Sequence, residues 1–255
     1  MKQLLHGRNA VFAAVGIAAV GIAAGLIVAS VVGSSDKKKT AAATTATAVS
    51  PTTQATTEPG VELIGVGETS KLLAGIPQHG NVLGKPDAPV TMVEFADLQC
   101  PFCGQYTLDA LPTIIRDYVR TGKVKLAFTG MSFIGPDSET ALRAAYAAAL
   151  QNRLWNVIDL LYRNQGAENT GWVTEGLLES IARSVPGIDA STMLDDQHST
   201  QVEQAIATAA SQAEQANVSS TPTFFAGPTG STLQQVPVTE LTPKPFRQAL
   251  DALLK

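Results

Sequence analysis

Cys100 and Cys103 are the only two cysteines among 255 residues, and both lie in VTMVEFADLQCPFCG, residues 90–104. Before them, Val90 to Phe95 is apolar and β-branched, the pattern of a strand covered on both faces. After them, Leu108, Leu111, Ile114, Ile115 and Tyr118 recur at the spacing of one buried helical stripe, with Pro112 expected to kink it and Thr121-Gly122 to stop it. The thiols therefore sit at a strand-to-helix junction. A helix starting at Cys100 aims the free N–H groups of its first turn, and the positive end of its dipole, at that sulfur. This favours the thiolate, the reactive form. Pro101 suits a first turn, where a missing N–H costs nothing. Cys103, one turn on, can attack a mixed disulfide at Cys100 and release the partner.

Other uses of two thiols fit less well. Zinc needs further Cys or His ligands, and His6, His79 and His198 are scattered, so no metal is expected. A bridge that closes so short a loop constrains little as a structural device. Net charge of −4 leaves no footprint for nucleic acid.

One residue of the strand is out of place. Glu94 puts a carboxylate in an apolar run, which is costly unless it has a partner or a task; an edge or surface position is the alternative. Asp97 suits the turn into the helix.

EFADLQCPFC, followed far downstream by Ser220-Thr221-Pro222-Thr223-Phe224-Phe225, resembles the DsbA-type branch of the thioredoxin superfamily from about Gly80 to the C-terminus. The resemblance implies an α/β thioredoxin fold with an inserted helical subdomain, no cofactor, and a redox-active Cys100–Cys103 pair. It implies that Glu94 moves protons to or from Cys103. It also implies that Pro222 is cis against the dithiol, with the backbone of Thr221 free to pair with an extended client; an ordinary strand-entry proline is the alternative. The chain departs from the CPHC pattern of well-known oxidases at Phe102, which offers neither charge nor hydrogen bond, so a Cys100 pKa depressed less than theirs is expected. Thr221 resembles isomerase-type members.

The remaining sequence divides readily. Val11 to Gly33 carries no charge and is long enough to cross a bilayer at ~1.5 Å per residue. Residues 1–35 read as an N-terminal transmembrane anchor, with a cleaved signal as the alternative. Residues 36–60, rich in Thr, Ala and Pro, read as a linker, and 61–255 as the catalytic domain. Within it, VELIGV (61–66) suggests a short strand and residues 75–89 turns around one edge strand, with His79 solvated. Val124 to Phe128 is a strand, and about 137–217 is helical throughout, the insertion that the resemblance implies. Asp137 and the Thr200/Glu203 pair are candidate caps, and three apolar stripes plus an Ala-rich stretch mark four helices. Trp155, Tyr162 and Trp172 read as core. Thr223–Ala226, a turn at 227–230, a strand at 233–238 and a helix at 246–254 close the chain.

The function expected is thiol–disulfide exchange that forms disulfides in unfolded exported proteins, outside the membrane. The resemblance suggests reoxidation by a membrane protein of the DsbB or vitamin-K-epoxide-reductase-like kind. A reductase or isomerase of the same compartment, or a non-catalytic chaperone module, are the alternatives.

Overall fold

The apolar run before the cysteines needs cover on two faces, and helices supply it on both sides of one mixed sheet. The structure, a computed structural model, describes residues 60–255; the anchor expected at 1–35 and the linker at 36–60, save its last residue, lie outside the described residues. Strands β1 (Gln78–His79) and β2 (Val82–Leu83) form an antiparallel hairpin. With β3 (Val90–Asp97), β4 (Val124–Met131), β5 (Thr223–Pro228) and β6 (Gln234–Gln235) they make a six-stranded sheet in the order β1-β2-β4-β3-β5-β6. β3 and β4 are parallel; β5 runs antiparallel to β3 and sets Phe224 opposite Glu94.

Every side chain of β3 is buried, and the strand's two-residue period divides them. Val93 and Phe95 face Ala213 of α8 (Thr200–Gln215). Met92 and Ala96, and with them Glu94, face the crossover helix that carries the cysteines. That crossover is α2 (Pro101–Gln105), a π-turn (Tyr106–Ala110), α3 (Leu111–Ile114) and a second π-turn (Ile115–Val119) in unbroken succession. Pro112 cannot donate a hydrogen bond; the N–H of Leu111, the residue immediately before it, reaches the Tyr106 carbonyl, closing the first π-turn. α9 (Pro243–Leu253) packs on the same face, with Phe246 4.8 Å from Phe224 and 5.0 Å from Tyr106 between ring centroids.

Between β4 and β5 the chain runs through α4 (Pro136–Leu150), α5 (Leu154–Arg163), α6 (Glu175–Ser184), α7 (Ala190–Asp196) and α8. α7 has no counterpart in the apolar pattern because only Met193 of it is buried; its signal was Asp189, whose carboxylate caps the Thr192 N–H. Trp155 is core, edge-on to Phe128; Tyr162 is buried, and Trp172 is half-buried.

Several local expectations are corrected. VELIGV is not a strand: the Val61 and Ile64 N–H groups go to Ser180 Oγ and Asn164 Oδ1, and α1 (Val66–Leu73) starts after Gly65. The edge at 75–89 holds two strands rather than one. Asp137 is not a cap; Gly135 holds that position, Pro136 follows it, and the Asp137 carboxylate accepts from the Gly171 N–H. Ser199, one residue before Thr200, caps α8 through the Val202 N–H, and Glu203 pairs with Arg143. The strand expected at 233–238 shrinks to two residues because Pro237 cannot extend the ladder.

The ring cluster of Phe246, Phe224 and Tyr106 joins the last helix to the sheet and the crossover. Phe246→Ala leaves a fully enclosed void and is expected to cost ~3–5 kcal/mol, measured by urea denaturation.

Candidate active site

Cys100 occupies the N-cap of α2 with extended backbone (φ −67°, ψ 119°), and Pro101 takes the first helical position. Asp97 holds this junction. Its Oδ1 accepts from the Gln99 N–H (2.9 Å) and Ser138 Oγ (2.6 Å), its Oδ2 from the N–H groups of Phe133 and Ile134, and its carbonyl from the Cys100 N–H (3.0 Å). Gln165 donates to the carbonyls of Leu98 and Cys100 from the other side. Gly104 permits that approach, since a Cβ there would stand 2.9 Å from Gln165 Oε1. Both cysteines are free thiols. Cys103 is fully buried, and Cys100 keeps 5% of its surface exposed.

The two sulfurs differ in acidity. The Cys103 thiol donates to Cys100 and lowers its pKa to about 6, against the opposing effect of burial; the Thr221 side chain and the N–H groups of Cys103 and Phe102 add to the lowering. Burial, then the hydrogen bond to Cys100 and the charges of Cys100 and Glu94, hold Cys103 well above the ordinary thiol range. At neutral pH the pair is one thiolate and one thiol. From across the site, the Thr221 carbonyl lies 3.4 Å from Cys100 Sγ, and the Thr221–Pro222 peptide is cis.

The family description Thioredoxin matches residues 78–252. The chain is 34% identical over 146 residues to a probable disulfide bond formation protein D of Bacillus cereus, covering 56% of this chain and 68% of that one. The disulfide bond formation protein D of Bacillus subtilis is 32% identical over the same length, 56% of this chain and 66% of that one. The oxidised BdbD structure from Bacillus subtilis superposes with a TM-score of 0.60 at 26% identity, over 71% of this chain and 97% of that one. The chain belongs to the DsbA-type thiol–disulfide oxidoreductases of the thioredoxin superfamily.

The remaining site residues of this oxidoreductase lie where the crossover helix meets the sheet. Glu94 is 3% exposed, and its Oε1 has no hydrogen-bond partner. Burial first, and the Cys100 thiolate second, raise its pKa from 4.5 to about 8. The structure brings Cys100, Cys103, Glu94, Thr221 and Pro222 together around one centre, whereas Phe102 turns outward with 61% of its surface exposed. Sequence reading did not single out Gln165, Tyr106 or Phe133. Gln165 comes from a loop distant in the chain; Tyr106, three residues after Cys103, lies outside the stripe at 108–118 and carries no local mark. Phe133 lies 55% exposed just beyond β4 with its N–H on Asp97, and no local pattern marks it. Among the described residues no cluster of His, Cys, Asp and Glu could hold a metal.

Two consequences are measurable. Glu94 has a folded pKa raised above its unfolded value, so its contribution to stability is fully present below about 4.5 and is lost as pH rises towards about 8. Glu94→Gln removes that loss: by urea denaturation of the reduced form, its unfolding free energy should exceed the wild type's by a margin that widens across this window, to on the order of 4 kcal/mol at its upper end. Phe102→His adds a cation beside Cys100 and should move the midpoint of iodoacetamide alkylation at Cys100 below about 6; an unmoved midpoint contradicts the expectation that Phe102 leaves Cys100 less acidic than a histidine there would.

Proposed function

We propose that this oxidoreductase forms disulfides in unfolded exported proteins through the Cys100–Cys103 bridge. The observation that carries this reading is the unequal pair: an N-capping Cys100 with pKa about 6 over a fully buried Cys103 held protonated. A thiolate so stabilised is a good leaving group, and its stabilisation favours the reduced enzyme, which makes the bridge oxidising.

A client thiolate attacks Cys100 Sγ of the bridge, and Cys103 leaves. Glu94 gives its proton to the departing Cys103 sulfur. A second client thiolate attacks the client sulfur of the mixed disulfide, so the client gains a disulfide and Cys100 departs as thiolate. Two electrons have passed to the enzyme. The carbonyl of Thr221, beside Cys100, supports an extended client chain during the exchange.

Reoxidation reverses the proton's path. Cys100 attacks the acceptor's disulfide, and the negative charge that helped raise Glu94 is gone. Glu94 then ionises more readily and takes the proton from Cys103, whose sulfur attacks Cys100 to close the bridge and release the acceptor as a thiol. The acceptor is a membrane protein of the DsbB or vitamin-K-epoxide-reductase-like kind. Residues 1–35 anchor the enzyme and 36–60 tether the catalytic domain on the extracytoplasmic side. The uncharged run at 11–33 supports this reading; among the described residues no helix is long and apolar enough to cross a membrane.

The reduction potential, set against glutathione and read by alkylation of Cys100 and Cys103, tests the direction of electron flow. A value well above the ~−200 mV of a glutathione-like poise is expected, and one near the ~−270 mV of thioredoxin overturns the oxidase reading. Cys100→Ser should abolish oxidation of a reduced model client.

A further inference from the structure

Among the described residues, four buried side-chain polar atoms lack a hydrogen-bond partner: Glu94 Oε1, Tyr106 OH, Asp159 Oδ1 and Trp172 Nε1. Asp159 is otherwise satisfied, since its second oxygen takes Thr69 and Arg163, and Trp172 lies outside the site. Glu94 and Tyr106 share one place. Glu94 sits directly opposite Phe224 across the β3–β5 ladder, and the Tyr106 ring packs on Phe224 with centroids 4.6 Å apart. The charge of Glu94 is felt at the phenol, which burial and that charge hold well above the ordinary tyrosine range.

Packing alone does not call for a hydroxyl here. Tyr106 is fully buried between Phe224 and Phe246, where a phenylalanine would make the same ring contacts without burying a polar atom. The residue also opens the π-turn Tyr106–Ala110, a local departure from the α-helix that occurs often at functional sites.

The other groups around Glu94 are committed. Cys100 and Cys103 of α2 hydrogen-bond to each other. Tyr162 of α5 gives its hydroxyl to the Asp97 carbonyl at 3.2 Å, and the Asp97 carboxylate is engaged by four donors. β4 and β5 present Phe128 and Phe224 beside Glu94, and α9 brings Phe246. Tyr106 is the donor left.

We propose that the Tyr106 phenol donates a hydrogen bond to ionised Glu94, directly or through one buried water, and is a positioning residue for the proton that leaves Cys103. It rests on the role proposed for Glu94 above. A carboxylate in an apolar site needs a donor to ionise. Tyr106 supplies one without adding a charge, so the ionised form becomes accessible during bridge closure while Glu94 stays a usable proton donor in the opposite direction.

The test is the closing step itself. The reduced full-length chain is mixed with excess oxidised glutathione. Cys100 thiolate displaces one glutathione thiolate and forms a mixed disulfide. Cys103 then passes its proton to Glu94, attacks Cys100 Sγ and releases the second glutathione, so the two electrons of the dithiol end on two glutathione thiols. Acid quench and mass analysis follow the second release as a function of pH. Tyr106→Phe should move the midpoint of this step up by half a unit or more, about threefold slower below it; Glu94→Gln should abolish the titration, and adding Tyr106→Phe to Glu94→Gln should change nothing further. A titration lost in Glu94→Gln but unmoved by Tyr106→Phe overturns the Tyr106 role and leaves that of Glu94 standing. A titration that survives Glu94→Gln overturns both. Should Tyr106→Phe not fold, the infrared carboxylate stretches of ionised Glu94 in the wild-type chain above its midpoint, assigned by their loss in Glu94→Gln, read the same contact. Stretches shifted by hydrogen bonding are expected; those of an unbonded carboxylate overturn the proposal.

Discussion

A carboxylate with no exposed surface, that of Asp97, holds the end of the central strand, the turn into the active-site helix, the loop after β4 and the start of α4. A buried charge is tolerable only when hydrogen bonds replace its water. Here four donors do so, and three of them come from a segment more than thirty residues away. The direction in which Cys100 leaves the strand is set by these contacts, because its own N–H is bonded to the Asp97 carbonyl. Gln165 and the cis Thr221–Pro222 bond then complete the walls around a position that Asp97 has already defined.

The chemistry follows from unequal environments for similar groups. Two thiols of the same intrinsic acidity are separated because one caps a helix and receives hydrogen bonds, and the other is enclosed. A carboxyl of ordinary acidity is raised to about 8 because it is buried, and the Cys100 thiolate adds to the rise. Asp97 and Glu94, three residues apart on one strand, illustrate the contrast. The first has four donors; the second has an oxygen without any.

Some of this could be read from the chain and some could not. The largely apolar β3 and the stripe at 108–118, of which Leu108 alone is exposed, are local periodicities, so strand and helix were legible, and their junction located the thiols. Glu94 stood out because a charge in such a run breaks the pattern. The caps shifted by a residue at Ser199 and were displaced at Asp137, since capping depends on which oxygen meets an N–H, and Asp137 found the Gly171 N–H instead. α7 escaped because a helix with a single buried residue leaves no stripe.

By itself the sequence determined the dithiol, its place between strand and helix, and the family, since each is carried by residues close together in the chain or by a short second motif at Thr221-Pro222. Only the tertiary structure decided which acidic residue is satisfied and which is not, that Gln165 reaches the Cys100 carbonyl, and that Tyr106 and Glu94 both meet Phe224, each with a buried polar atom that has no partner. Those are contacts between segments far apart in the chain. Hydrogen bonding and burial act through space, so a tyrosine in the first turns of a helix carries no mark of its neighbour until the sheet and the crossover helix are packed together.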